Sequence, residues 1–192
     1  MTCEKFRVGL VCIVACLAVA CGDDGKESAD DGKVTGDCQV FGALSGGIMH
    51  QFGGEAFACS GSGGITTAGQ LLGQGSIEEV FNGGSINVTL RDIDPLPALG
   101  QVGVSSVGSV TVEQIGPQPS DTTQSRERST WDFEDGTCML DVQGTVKDDG
   151  FDWVWFRAAV ECSGAAMPVA PNVKAPVSLS DVVVNTFVSS PP

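Results

Sequence analysis

One imidazole, one close group of carboxylates, four downstream thiols and a run of alternating aromatic rings are the side chains on which chemistry could be built in this chain. A Ser-His-Asp triad would need His50, the only histidine, as its base. His50 lies in "SGGIMHQFGG", which reads as a solvated hairpin loop, and no serine of the sequence sits in a G-x-S-x-G elbow. Met49 beside it would give copper(I) two soft ligands, too few for a site. The stretch "WDFEDG" offers Asp132, Glu134 and Asp135. A glycosidase needs two acids on opposite sides of a sugar, whereas Asp132 and Glu134 would share one strand face next to a turn. A solvated face is the expectation, with Ca²⁺ as the alternative. "GSGG" at Gly61–Gly64 lacks the Lys-Ser/Thr of a phosphate loop. The reading is no catalytic residue, no metal and no cofactor.

The thiols carry a firmer message. Cys38, Cys59, Cys138 and Cys162 are an even set without CxxC spacing, so disulfides in an oxidising compartment are expected rather than zinc. Four cysteines allow three connectivities. Cys38–Cys59 and Cys138–Cys162 are the pairs chosen, because each brackets one hairpin. Each bridge would stabilise the fold by about 3 kcal/mol.

The second hairpin can be read residue by residue. "CMLDVQGTV" alternates, with Cys138, Leu140, Val142 and Val146 on one face and Met139, Asp141, Gln143 and Thr145 on the other. "FDWVWFRAAVEC" places Val154, Phe156, Ala158, Val160 and Cys162 on one face. A two-residue turn at Asp149–Gly150 would set Cys138 opposite Glu161. A turn of about three to five residues or a bulge is therefore needed to restore the register. The opposite face carries Phe151, Trp153, Trp155 and Arg157, with Asp141, Gln143 and Thr145 from the partner strand. Rings beside polar groups suit a sugar or peptide platform. Trp153, Trp155, Asp141 and Gln143 are the candidate ligand platform, with Trp153 and Trp155 expected to be exposed. The competing reading buries the strand on both faces.

Elements that would position these residues are strands. "CQVFGA" and "EAFACS" read as a first pair, joined by a glycine-rich loop. "SINVTLRDI" puts Ile86, Val88 and Leu90 on one face, "GSVTVEQI" and "STWDF" continue the pattern, and "APVSLSDVVVNTFV" reads as a closing strand. "DPLPALG" and "GPQPSDTTQSRE" read as connections. Only "AGQLLGQGSIEEVF" could hold a short helix, and its glycines oppose a long one. The fold class is mainly β, an antiparallel β-sandwich with a β-barrel as the alternative, over residues 38–192.

The N-terminal segment gives an address. Lys5 and Arg7 precede an apolar run from Val8 to Ala20, too short for a comfortable membrane span. "AVAC" at residues 18–21 resembles the lipobox of bacterial lipoproteins. That resemblance implies residues 1–20 as a signal peptide cleaved before Cys21, whose sulfur carries a diacylglycerol and whose amine is then acylated. Cys16 in "IVAC" is the rival site, and an ordinary cleaved signal or a membrane helix is the bland alternative. Residues 22–37 hold six acids, two lysines, four glycines and a single valine. Together with Cys21 they read as an acidic flexible tether over residues 21–37. "DDGKESADDG" lacks the spacing of a calcium loop. Gly22, where some lipoproteins carry an inner-membrane aspartate, makes the outer membrane the default.

With 10 basic against 24 acidic residues the chain repels phosphate backbones, so no nucleic-acid partner is expected. The order of pieces is similar to a loose group of uncharacterised bacterial lipoproteins with a β-sandwich domain. It rests on Trp131, Gly136, the Cys138–Cys162 hairpin and "VSLSDVVVNTF". This resemblance implies a fold and an anchored location, and brings no catalytic residue. The expected function is a lipid-anchored cell-envelope module for binding or structure, held to membrane lipid through acylated Cys21, with an envelope glycan or a protein as partner. A noncatalytic accessory subunit of an envelope complex is the alternative, and a secreted hydrolase the third reading.

Overall fold

The computed structural model describes residues 33–56, 58–65, 71–81, 83–171 and 173–189. The signal peptide, the lipobox with Cys21 and Cys16, and the tether up to residue 32 lie outside the described residues. No helix among the described residues is long and apolar enough to cross a membrane.

The described chain is built from strands: β1 (Gln39–Gly46), β2 (His50–Glu55), β3 (Ala58–Ile65), β4 (Leu71–Phe81), β5 (Gly84–Leu96), β6 (Gly103–Ile115), β7 (Arg128–Asp132), β8 (Cys138–Lys147), β9 (Trp153–Cys162), β10 (Met167–Pro168) and β11 (Val177–Ser189). They hydrogen-bond in the order β2-β1-β11-β9-β8-β6-β5-β4-β3. Every pairing is antiparallel. The sheet forks at β6. The first part of β6 pairs with β8, while Thr111–Ile115 pair with β7, which continues to β10.

The sheet curls until its ends meet. Side chains added at Gly73 and Gly75 would meet Val188 and Thr186, so the β3–β4 hairpin lies against β11. At Gly61 a Cβ would collide with the Phe187 carbonyl, so only glycine permits this approach of two backbones. The curl encloses a core of alternate residues: Ile86, Val88 and Leu90 from β5, Val110 and Val112 from β6, Phe156 and Ala158 from β9, Val184 and Val188 from β11. Trp131 is fully buried and donates its Nε1–H to the Ala175 carbonyl at 2.9 Å.

Several expectations change. "AGQLLGQGSIEEVF" contributes β4, not a helix: Gly73 and Gly75 are poor helix residues, and β4 is paired on both sides. The first strand pair is β1, read as a strand in "CQVFGA", with β2, which lies in the stretch read as a glycine-rich loop. "EAFACS" is divided between β2 and β3, and β3 crosses to the far end of the sheet.

The β8–β9 register is restored by both devices. Near the turn Lys147 pairs with Val154, and Asp148–Asp152 form the connection. A bulge between Val142 and Gly144 then shifts the ladder by one residue and sets Cys138 directly opposite Cys162. The same bulge reverses the faces beyond it. Thr145, expected outside, is buried, and Val146, expected in the core, is 50% exposed.

Candidate functional site

Both disulfides join the expected partners, Cys38–Cys59 and Cys138–Cys162. The second is a cross-strand bridge. The first fastens the chain just before β1 to β3, which is not a neighbour of β1 in the sheet. It therefore ties together the two ends of the curl.

The outer face of β8, β9 and β11 holds the expected platform, and the structure rearranges it. Period-two geometry does send Trp153, Trp155 and Arg157 outward, away from Phe156 and Ala158. There the two tryptophans meet Phe187 of β11. Phe151 stacks on Trp153 at 4.4 Å between centroids, and Trp153 stacks on Phe187 at 4.5 Å. Trp155 leans on the same Phe187 at 5.0 Å. Both faces of Trp153 are thus occupied, and Trp153 is half-buried.

Exposure of Trp155 is a correction. It is only 6% exposed. Phe187 covers it, and its Nε1–H lies 3.3 Å from the Asp148 carboxylate. Gln143 is engaged as well: its Oε1 accepts from Arg157 Nε at 3.0 Å. Arg157 is 3% exposed, and its guanidinium lies over the Phe41 ring. Asp141 stays exposed on β8. The four candidate residues therefore do not form one open surface. Two of them, Trp155 and Gln143, belong to a second, outer core.

That core has an unexpected cover. Gly144, Arg157 and Asn185 form one row across β8, β9 and β11. Residues 34–37 run over this row. Val34 sits above Gly144, where a Cβ would come within 2.9 Å of it. Asn185 Nδ2 donates to the carbonyl oxygens of Thr35 at 2.9 Å and Asp37 at 2.5 Å, and its Oδ1 accepts from Thr35 N at 3.4 Å. The end of the acidic tether is therefore a strap packed on the domain. A signal for it was present in the sequence: Asn185 interrupts "VVVNTFV", and a buried amide in an apolar strand must find partners.

Asp148 organises the tip beside the rings. Its Oδ1 accepts from Gly150 N at 2.8 Å and Phe151 N at 3.1 Å. The Gly150 bond foremost holds its carboxyl below the usual carboxylate range; desolvation, the next effect in size, opposes it, and the Trp155 and Phe151 bonds add to the lowering.

His50 is not a solvated loop residue. It opens β2, its Nε2 lies 3.2 Å from Glu79 Oε2, and Phe52 and Phe81 flank its ring. The curl, which brings β4 to β2, makes this pair; Met49 beside it is exposed. Asp132 accepts from Thr111 at 2.8 Å and is exposed, as are Glu134 and Asp135, while Trp131 and Phe133 are buried between them. That alternation is the solvated strand face expected. A groove of about 850 Å³ crosses β3 to β6, lined by Gln74, Asp92, Asp94, Ser106, Ser109 and Asp135. Among the described residues no three metal-binding side chains converge.

Comparison with protein-family models, with curated proteins and with solved structures finds no match.

Proposed function

We propose that this chain is a lipid-anchored lipoprotein of the cell envelope, probed through its outer face and acting without catalysis as a binding or structural module. The supporting observation is the join between address and domain. A lipobox-like sequence and acidic spacer lead into a strap that docks on Asn185, directly ahead of the Cys38–Cys59 bridge. Two disulfides suit an oxidising envelope compartment. The carboxylates of "WDFEDG" face solvent, which favours a noncatalytic role for them. On architecture, our reading is a sandwich whose two layers remain joined as one curled sheet.

Detergent phase partition of the mature protein tests the anchor. The wild type is expected in the detergent phase, and a chain lacking residues 1–21 in the aqueous phase with an unchanged circular dichroism spectrum. Partition of the wild type into water would overturn the reading.

A further inference from the structure

The anchored reading leaves open which face of the domain meets the membrane. Two independent features of the outer face of β8, β9 and β11 answer it. The first is where the chain arrives. Val34 and Thr35 lie on this face, over Gly144 and Asn185. From Cys21 to Lys33 there are about a dozen residues, which reach at most about 40 Å when fully extended, less than the roughly 60 Å path around a domain of this size to its opposite side. A domain of this length is roughly 40 Å across. The anchor thus holds the strap's side of the domain nearer the bilayer than the opposite side.

The second feature is what that face shows to solvent. Phe151 is 60% exposed and Val146 50% exposed, with the edge of half-buried Trp153 between them. Rings with polar edges settle at the headgroup level of a bilayer. Charge at the tip decides which lipid is tolerated. Asp148 is held by Gly150, Phe151 and Trp155, and Asp152 lies 3.9 Å from Lys147. Asp149 is exposed, and the whole chain carries a formal charge of -14. An anionic lipid surface would be repelled, while a zwitterionic one would not.

We infer that the tip formed by Phe151, Trp153 and Val146 rests on the zwitterionic headgroup layer of the membrane that carries the Cys21 lipid. This rests on the lipid-anchored reading. The contact is weak alone and forms because the anchor and strap keep the tip close.

The test uses the full mature protein in vesicles of phosphatidylcholine and phosphatidylethanolamine with brominated acyl chains. Tryptophan fluorescence is expected to fall, and Trp153→Phe to remove most of that quenching. Phe151→Trp, at an exposed position, is expected to add a strongly quenched reporter. Replacing about a third of the lipid by phosphatidylglycerol should reduce the effect. A chain lacking residues 1–21 should show none. An acylated, vesicle-bound Phe151→Trp protein whose added tryptophan is untouched by bromine but open to aqueous iodide would overturn the inference alone. Protection of Phe151→Trp by an envelope glycan, without bromine quenching, would overturn it too and assign the tip to that glycan. A mature protein without an acyl group would instead overturn the anchored reading, and this inference with it.

Discussion

The Asn185 side chain holds Thr35 on the outer face of the sheet, donating to its carbonyl oxygen at 2.9 Å and accepting from its N–H at 3.4 Å. The two residues are 150 positions apart in the sequence. This contact converts the last part of a spacer into a piece of the domain. Replacing Asn185 by Ala removes the bonds and leaves the half-buried groups of Thr35 without this partner. A loss of about 1–3 kcal/mol in urea unfolding is expected. Limited proteolysis should also cut faster near Lys33. An unchanged unfolding midpoint and cleavage rate would show that the strap is not held.

The bridges should behave unequally when removed. Non-reducing peptide mapping is expected to return Cys38–Cys59 and Cys138–Cys162. The pair of changes Cys138→Ala and Cys162→Ala should cost about 2–5 kcal/mol. The Cys38→Ala and Cys59→Ala pair should in addition expose β3, because that bridge joins strands that no ladder connects. A peptide linking Cys38 to Cys162 would refute this connectivity.

Acid should reach the β8–β9 tip late, after most other carboxylates have been protonated. Asp148 has a folded pKa below its unfolded value near 3.8. Its stabilising bonds are therefore complete above the unfolded value and are lost as pH falls through the lower, folded one. Tryptophan emission followed from pH 5 downward should change below the ordinary carboxylate range, through the Trp155 contact. Asp148→Asn should remove that change. A transition near neutral pH at this tip would contradict the assignment.

Close approach of β3 to β11 depends on a missing side chain. Gly61→Val would drive a side chain into the Phe187 carbonyl. Thermal unfolding should show a loss of about 1–3 kcal/mol or more, whereas Ser60→Val, exposed on the same strand, should change little. Equal effects at the two sites would mean that the β3–β4 hairpin does not lie on β11.

The sequence showed the strand faces wherever alternation ran unbroken. Ile86, Val88 and Leu90, and likewise Val154, Phe156 and Ala158, point inward as their spacing requires. It misled where one residue changed the phase: the bulge at Gln143 exchanged Thr145 and Val146, and nothing in "VQGTVK" fixes where an extra residue will sit. Contacts made by the curl were beyond a local reading. His50 and Glu79 meet because β2 and β4 lie at opposite ends of a sheet that closes on itself. The candidate platform failed for a related reason. Period two gave the correct face for Trp155, but cover by Phe187 and burial of Arg157 depend on partners far along the chain.

The proposed lipid anchor stands most directly on the chemistry of the mature N-terminus. Intact-mass and peptide mass spectrometry of protein purified from the envelope should find Cys21 as the first residue, bearing diacylglycerol on sulfur and an acyl chain on its amine. A mature chain beginning beyond Cys21 with a free amine would contradict the lipid anchor. An acylated Cys16 would keep the anchor and move its site.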